Sequence, residues 1–196
     1  MKGLLVIDVQ KDFVDILSSP VYIPGARKII PPLRQAVSLF RQMKLPVIFI
    51  LTLHKKDRSD WGLVDLERGR AYCIENSKGI EPIDEIKPDE GDFVVYKARY
   101  SGFYNTNLDE VLKQNGINEL FFSGLTTECC VGSTARDAYF RNYKVNLLED
   151  CSTATHPISH NSEVIYFRKS LGRVLDVDVM QALFQDHRGD MVENII

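Results

Sequence analysis

The chain reads ELFFSGLTTECCVGSTARDA from residue 119 to residue 138, and this stretch predicts a buried strand that turns directly into a helix. The apolar run over 119–123 has the length and composition of a strand inside a parallel sheet. Gly124 ends that strand, and the hydroxyl and acidic side chains that follow it are typical of a helix start. Cys130 therefore falls in the first turn of a helix predicted over 128–141.

The position of Cys130 favours a reactive thiol. Free backbone N–H groups and the positive end of a helix dipole stabilise an anion, so we expect the pKa of this thiol to lie below the ordinary value of about 8.5. The same N–H groups would bind the oxyanion that forms when sulfur attacks a carbonyl. Free cysteine is also among the most buried residue types, so core packing is the more frequent explanation for Cys130 taken alone.

The rest of the chain alternates strands with helices. Strands are predicted at about 3–8, 46–53, 93–97, 119–123, 143–149 and 173–176, and helices at about 25–43, 106–115, 128–141, 160–170 and 177–186. This alternation predicts an α/β fold with three αβα layers: a Rossmann-like, six-stranded, mostly parallel sheet with helices on both faces. No linker-like composition divides the chain, so we expect one domain over 1–196.

Two further reactive side chains follow predicted strands. Asp8 ends the apolar run over 3–7, and Lys97 ends the run over 93–96. The carboxyl ends of parallel strands meet at the edge where open α/β sheets bind ligands, so we expect both to lie near Cys130. Each has a structural alternative: Asp8 as a cap of a loop or helix, and Lys97 as a solvated strand end.

Composition restricts the partners. The formal net charge is −3 and no basic cluster occurs, which argues against nucleic acid and acidic membrane surfaces. No apolar run reaches the roughly 18 residues of a membrane span, and the first residues run into a strand rather than a signal peptide. The four cysteines lack metal-ligand spacing, and a thiol nucleophile suits a reducing compartment. We expect a cytoplasmic protein that acts on a small molecule.

These residues resemble the isochorismatase-like cysteine hydrolase family. That family combines an Asp after the first strand, a Lys in a later strand and a Cys followed by Val at a helix start. The matching stretches are 5–13, 97–103, 124–138 and 147–150 together with Ala154. The family nucleophile directly precedes the valine, here Val131, so the resemblance selects Cys130 rather than Cys129.

The resemblance implies a mechanism. Asp8 would take the thiol proton, Lys97 would supply a positive charge, and the Cys130 thiolate would attack an amide-type carbonyl to form an acyl-enzyme. The backbone N–H groups of Thr126 and Cys130 would form the oxyanion hole, with a cis peptide bond between Leu125 and Thr126. Relatives form dimers and tetramers, which implies a homo-oligomer.

The substrate class depends on where this chain departs from its relatives. Nicotinamidases of the family carry Asp-x-His and a further His as metal ligands, whereas this chain reads Thr52-Leu53-His54. A lone His cannot hold a divalent metal, so we predict neither a metal nor any other cofactor. Residues 97–106 and 134–137 are more similar to ureidoacrylate amidohydrolases and N-carbamoylsarcosine amidases. Those relatives place an amide and an aromatic residue after the second strand, where this chain has 54–56, which argues against ureidoacrylate itself.

We predict four substrate-binding side chains: Phe13, His54, Trp61 and Tyr100. Tyr100 lies three residues after Lys97, where ureidoacrylate amidohydrolases contact their substrate, although a tyrosine at a pocket edge explains it as well. Phe13 suits a pocket wall or the core, and Trp61 suits a cover over a planar substrate or surface packing. The long polar connection over 54–92 is predicted to be a lid or binding loop.

The predicted function is a cysteine amidohydrolase that cleaves a C–N bond of a small carbamoyl, ureido or carboxamide substrate and releases ammonia or an amine. The alternatives are a metal-independent nicotinamidase, an enzyme that hydrolyses the vinyl ether of isochorismate, and a non-catalytic ligand-binding scaffold. Isochorismate hydrolysis is disfavoured because it needs no thiol nucleophile. The scaffold is disfavoured because it has no use for Asp8, Lys97 and Cys130 together.

Overall fold

A six-stranded parallel sheet forms the centre of the protein, with strand order β3-β2-β1-β4-β5-β6. The computed structural model describes residues 1–185. Its strands are β1 (Lys2–Ile7), β2 (Val47–Thr52), β3 (Phe93–Lys97), β4 (Glu119–Leu125), β5 (Lys144–Thr153) and β6 (Gly172–Leu175). All five pairings between neighbouring strands are parallel, which confirms the predicted fold class.

Six of the described helices lie between these strands in the chain, and the seventh follows β6. They are α1 (Lys11–Val14), α2 (Ile30–Gln42), α3 (Leu63–Arg68), α4 (Leu108–Gln114), α5 (Gly132–Phe140), α6 (Pro157–Ser170) and α7 (Val177–Gln185). The sequence analysis missed α1 and α3, which are too short for a helical period to show. The helix predicted over 25–43 begins as a 3-10 turn at Ala26–Ile29. Residue 186, included in the last predicted helix, lies outside the described residues.

The sheet separates two hydrophobic cores. Along β1, Leu4 and Val6 face the core that contains α2 and α7, whereas Leu5 and Ile7 face the core that contains α4, α5 and α6. All four side chains are fully buried. Burying an aliphatic side chain of this size contributes about 1.5–3 kcal/mol, so an apolar run through β1 stabilises both faces of the sheet at once.

The passage from β4 to α5 differs from the prediction. Residues Thr127–Val131 form a π-helical turn before α5 begins, because the Val131 N–H donates to the Thr126 carbonyl, five residues earlier, at 3.1 Å. Gly124 has a φ of +104°, and a Cβ atom there would lie 2.0 Å from the Ile7 carbonyl oxygen. Only glycine therefore allows β4 to pass so close to β1 at this position.

The connection over 54–92 is packed against the body of the protein. It contains α3 and a 3-10 turn at Lys78–Ile80. The bridge His54↔Ile74 closes the connection on itself, and the bridge Gln10↔Pro82 joins it to the rest of the chain. It forms a wall of the cavity described below, as expected of a binding loop. Across residues 1–185, no helix combines the length and apolar character needed to cross a membrane.

Candidate active site

The carboxyl ends of four neighbouring strands bring together the three reactive residues that the sequence analysis singled out. Asp8 follows β1, Lys97 ends β3, and Cys130 lies in the π turn after β4. The parallel register places Thr52, the last residue of β2, opposite Lys97. The convergence predicted from parallel strand ends is present in the structure.

The Lys97 ammonium group is the centre of this cluster. It donates to Asp8 Oδ2 at 2.8 Å, to Thr52 Oγ1 at 2.8 Å and to Cys130 Sγ at 3.4 Å, so each of its three hydrogens has a partner. Lys97 is 3% exposed and Asp8 is fully buried. Burial lowers the pKa of Lys97, but the charge of Asp8 and the Cys130 sulfur outweigh it and raise that pKa above its ordinary value. The lysine is a buried, permanently charged link between carboxylate and thiol.

The Asp8 carboxylate is fixed in orientation by Thr52. Its Oδ1 accepts hydrogen bonds from the Thr52 N–H at 3.0 Å and from the Thr52 hydroxyl at 2.9 Å, and its Oδ2 accepts from Lys97. Asp8 has a φ of +53°, a left-handed conformation that aspartate tolerates better than most residues. Its two oxygens therefore have different surroundings.

Two residues of this network were not assigned a role from the sequence. Thr52 links Asp8 to Lys97, and the Gln10 amide binds the backbone of Thr52 on both sides, accepting from its N–H at 2.8 Å and donating to its carbonyl at 2.9 Å. Gln10 is fully buried and Thr52 is 4% exposed. The available signal was a polar residue inside or just beyond a buried strand, where an unpaired side chain would be costly.

The environment of the Cys130 thiol corrects the prediction of a lowered pKa. The neighbouring Cys129 thiol, burial and the Asp8 carboxylate all raise the pKa of Cys130, and only Lys97 opposes them. A helix end by itself lowers the pKa of a thiol, whereas burial and an adjacent carboxylate raise it. Cys130 is consequently a thiol at rest, and a thiolate forms there most readily when Asp8 takes up the proton.

The predicted oxyanion hole lies at the start of the π turn. The peptide bond between Leu125 and Thr126 is cis, as the resemblance implied. Thr126 and Cys130 both line the cavity next to Lys97. Their N–H groups stay a prediction for the oxyanion site.

A cavity of about 670 Å³ opens onto Cys130, Lys97 and Thr52. Three of the four predicted substrate-binding residues line it: Phe13, His54 and Tyr100. Phe13 and His54 are buried, and Tyr100 is exposed at the mouth.

Trp61 requires a correction. It is 5% exposed but is not among the residues that line this cavity, and its indole N–H donates to the Lys55 carbonyl at 3.0 Å. Its ring centroid lies 6.1 Å from that of His54. Trp61 therefore supports His54 and does not cover the cavity.

The connection over 54–92 adds polar side chains to the cavity that the sequence analysis did not identify. Arg70 donates to Asp65 Oδ1 at 2.6 Å, and the Tyr72 hydroxyl donates to Asp65 Oδ2 at 3.2 Å. Outside this connection, Arg99, two residues after β3, donates to the backbone carbonyls of Asp60 and Ala98. Spacing within a long polar connection carries no periodic signal, so these contacts could not be predicted.

The side chains near His54 determine whether a metal ion could bind at this end of the sheet. The Thr52 hydroxyl, two residues before His54, donates to Asp8 Oδ1 and accepts from the Lys97 ammonium group. Within the described residues 1–185, no group of three or more His, Cys, Asp or Glu side chains is arranged to hold a metal ion.

The family model of the isochorismatase domain matches residues 2–179, which include every element that contributes to this site. The chain belongs to the isochorismatase family. The stretches that carried the resemblance, from the first strand to the residues after β5, all lie inside the match.

Similar proteins in this family include amidohydrolases. A probable inactive nicotinamidase of Arabidopsis thaliana is 30% identical over 172 residues, covering 83% of this chain and 86% of that protein. A ureidoacrylate amidohydrolase of Yersinia enterocolitica is 41% identical over 97 residues, which is 49% of this chain and 42% of that enzyme. This match spans less than half the length of the enzyme.

Among solved structures, N-carbamoylsarcosine amidase of Thermoplasma acidophilum superimposes with a TM-score of 0.77. It is 34% identical, and the match covers 90% of this chain and 96% of that one. An isochorismatase-like hydrolase of Alkaliphilus metalliredigens reaches a TM-score of 0.85 at 30% identity, covering 93% of this chain and 98% of that one. The shared fold therefore extends over nearly the whole isochorismatase domain.

Proposed function

We propose that this protein is a cysteine amidohydrolase that cleaves a C–N bond in a small carbamoyl, ureido or carboxamide compound. The observation that carries the proposal is the Lys97 ammonium group, which contacts Asp8 Oδ2, Thr52 Oγ1 and Cys130 Sγ at the base of one cavity. A carboxylate and a thiol that both contact one buried cation supply the base and the nucleophile that acyl transfer needs.

The first step is proton transfer from Cys130 to Asp8. Lys97 stays charged throughout, so the cluster has the same net charge before and after the transfer. Asp8 Oδ1 already accepts two hydrogen bonds from Thr52, so Oδ2 is the oxygen that receives the thiol proton. This transfer explains how a thiol with a raised pKa acts as a nucleophile near neutral pH.

The thiolate then attacks the substrate carbonyl and forms a C–S bond. The negative charge that develops on the carbonyl oxygen is stabilised by the N–H groups of Thr126 and Cys130. As the C–N bond breaks, Asp8 returns its proton to the departing nitrogen, which leaves as ammonia or an amine.

Hydrolysis of the acyl-enzyme reverses these roles. Asp8, again a carboxylate, takes a proton from water, and the resulting hydroxide attacks the carbonyl carbon. The C–S bond breaks, the acid is released and the Cys130 sulfur regains a proton from Asp8. One carboxylate thus serves as base and acid in turn.

The test is ammonia release from nicotinamide, N-carbamoylsarcosine, ureidoacrylate and biuret. Cys130→Ala is the test variant, and Cys129→Ala is its matched control because it removes the neighbouring thiol. We expect release by the wild type and by Cys129→Ala, no release by Cys130→Ala, and no effect of a chelator.

The nicotinamidase and scaffold alternatives have distinct outcomes in the same assay. Turnover of nicotinamide that survives the chelator would establish the metal-independent nicotinamidase. Loss of activity in the chelator would contradict the prediction of no metal. The Arabidopsis relative is named as a probable inactive nicotinamidase, which is an example of a similar chain without the activity and supports testing the scaffold alternative. Absence of turnover together with slow labelling of Cys130 by iodoacetamide would favour that alternative.

We also propose that this reaction takes place in the cytoplasm and that the enzyme is a homo-oligomer. All four cysteines are free, which suits the reducing conditions of the cytoplasm. Apolar side chains are exposed on α5 and α6, among them Phe140, Ile158 and Ile165, and they support the homo-oligomer that the resemblance implies. Light scattering of the eluting protein distinguishes a dimer or tetramer from a monomer.

A further inference from the structure

The side-chain amide of Gln10 is fully buried, and both its nitrogen and its oxygen have partners. The Nε2 group donates to the Thr52 carbonyl and to the Ile80 carbonyl, each at 2.9 Å. The Oε1 atom accepts from the Thr52 N–H at 2.8 Å. Two carbonyl groups beside the nitrogen and one N–H group beside the oxygen allow a single orientation of the amide.

Gln10 takes the place of a strand that has ended. β1 stops at Ile7, which pairs with Ile50 of β2. Thr52 lies two residues beyond Ile50, so its N–H and carbonyl point to the same side of β2 but past the end of β1. Because unpaired backbone groups are costly when buried, the amide of Gln10 satisfies the two groups that β1 leaves unpaired.

The backbone at Gln10 is fixed to the connection over 54–92. Gln10 forms an antiparallel bridge with Pro82, and the N–H of the next residue, Lys11, donates to the Glu81 carbonyl at 2.9 Å. The side chain of Gln10 therefore joins this anchored segment to the last residue of β2.

Thr52 connects this restraint to the reacting groups. Its N–H is shared between Gln10 Oε1 and Asp8 Oδ1, at 2.8 and 3.0 Å. Its hydroxyl donates to the same Asp8 oxygen at 2.9 Å and accepts from Lys97 at 2.8 Å. Since Gln10 holds both the N–H and the carbonyl of Thr52, it fixes the two peptide groups that flank this residue and thereby the direction of its side chain.

We infer that Gln10 is a positioning residue for Asp8, which it orients through Thr52. The inference rests on the proposed function, because it concerns the proton transfer between Asp8 and Cys130. Gln10 does not line the cavity, so its effect falls on the chemical step and not on substrate binding. An apolar side chain of similar length would leave the backbone of Thr52 without these bonds, and the Thr52 hydroxyl would lose its fixed position beside Asp8.

The test measures kcat and KM for ammonia release in Gln10→Met, on whichever of nicotinamide, N-carbamoylsarcosine, ureidoacrylate and biuret the wild type cleaves fastest. We expect kcat to fall at least about tenfold, since a small displacement of a reacting group can cost about 100-fold, and KM to change less than about threefold. The matched control is Ser123→Ala, which removes a fully buried hydroxyl that donates to the Leu5 carbonyl at 2.7 Å, away from Asp8. Its kcat should stay within about twofold of the wild type.

Two further variants distinguish positioning from a general loss of stability. Gln10→Glu keeps an acceptor for the Thr52 N–H but, when ionised, has no donor for either carbonyl, so its kcat should also fall at least about tenfold. In a Thr52→Val background, Gln10→Met should lower kcat by less than about threefold, because the hydroxyl that Gln10 positions is already absent.

An unchanged kcat in Gln10→Met and Gln10→Glu would overturn the inference, and so would an equal loss in the wild-type and Thr52→Val backgrounds. A fall in kcat of the same size in Ser123→Ala would also contradict it. Ammonia release that survives Cys130→Ala would instead refute the proposed function. No release from any of the four compounds, together with slow labelling of Cys130 by iodoacetamide, would likewise count against the proposed function, so the two failures are distinguishable.

Discussion

The Asp8–Lys97 pair can be tested by a double-mutant cycle, because its two charges are buried and contact each other at 2.8 Å. Lys97→Met removes the ammonium and keeps most of the volume of the side chain. Asp8→Asn removes the negative charge and keeps the shape. The cycle consists of the wild type, both single variants and the double variant, each unfolded in urea at pH 7.

The structure indicates the size of each effect. Lys97→Met leaves the Asp8 carboxylate buried without a cation, and breaking one side of a buried pair costs about 3–5 kcal/mol of unfolding free energy. Asp8→Asn leaves the Lys97 ammonium facing a neutral amide and should cost a similar amount. The double variant buries neither charge, so it should lose less than the sum of the single variants by about 2–3 kcal/mol.

The assay depends on equal m values across the four proteins, which show that the variants unfold from comparably compact states. Additive losses, with a coupling energy below about 0.5 kcal/mol, would refute the account of Lys97 as a buried charge paired with Asp8. A double variant that is inactive, and whose loss of unfolding free energy is about 2–3 kcal/mol smaller than the sum of the two single losses, would agree with it.

Three further predictions follow from single contacts. Thr52→Val removes the hydroxyl that joins Asp8 to Lys97 and should lower kcat at least tenfold, whereas Thr52→Ser keeps the hydroxyl and should stay within about threefold of the wild type in ammonia-release kinetics. Gly124→Ala should lower the unfolding free energy by more than about 3 kcal/mol. Its control is Gly91→Ala, because Gly91 also has a positive φ (+92°) but a Cβ atom there meets no atom within 4 Å, so this variant should cost only the backbone strain of roughly 1–3 kcal/mol. Equal losses in urea unfolding would contradict the clash of a Cβ atom at Gly124 with β1. Burial lowers the pKa of His54 in the folded protein, so the unfolded chain binds a proton at this residue more readily than the folded one. The unfolding free energy should therefore decrease as the pH falls below about 6.5. His54→Gln should weaken that decrease in a pH series of melting temperatures.

The pH dependence of stability that Lys97 contributes has the opposite sign to that of His54. Its pKa is raised in the folded protein, so its contribution to stability is fully present below the ordinary lysine pKa of about 10.4 and is lost as the pH rises beyond it. This contribution of Lys97 should therefore stay constant through neutral pH, and urea unfolding of the wild type should show it falling only above about pH 10.4.

The sequence predicted the sheet and the meeting of Asp8, Lys97 and Cys130 because both follow from strand order. Apolar runs bounded by breakers mark parallel strands, and parallel strands place their carboxyl ends at one edge. The strand predicted at 93–97 matches β3, and the others differ at their ends by a few residues. The π turn at Thr127–Val131 was predicted as an α-helix because the two structures share the same polar start signals.

Features that depend on burial were harder to predict. The pKa of the Cys130 thiol is raised rather than lowered, because the Cys129 thiol, burial and the Asp8 carboxylate outweigh the stabilising effect of the helix end. Trp61 lies behind His54 because its position depends on how the connection over 54–92 folds back, and no local pattern encodes that path. The pairing of Arg70 with Asp65 was missed for the same reason.

The central claim is that Cys130 forms a covalent acyl intermediate. The most direct measurement is acid quenching of the protein during turnover of its best amide, followed by fragmentation of the peptide that contains Cys129 and Cys130. The account predicts an added acyl mass on the Cys130 sulfur in the wild type and in Cys129→Ala, and none in Cys130→Ala. An adduct on Cys129, or full ammonia release by Cys130→Ala, would contradict it.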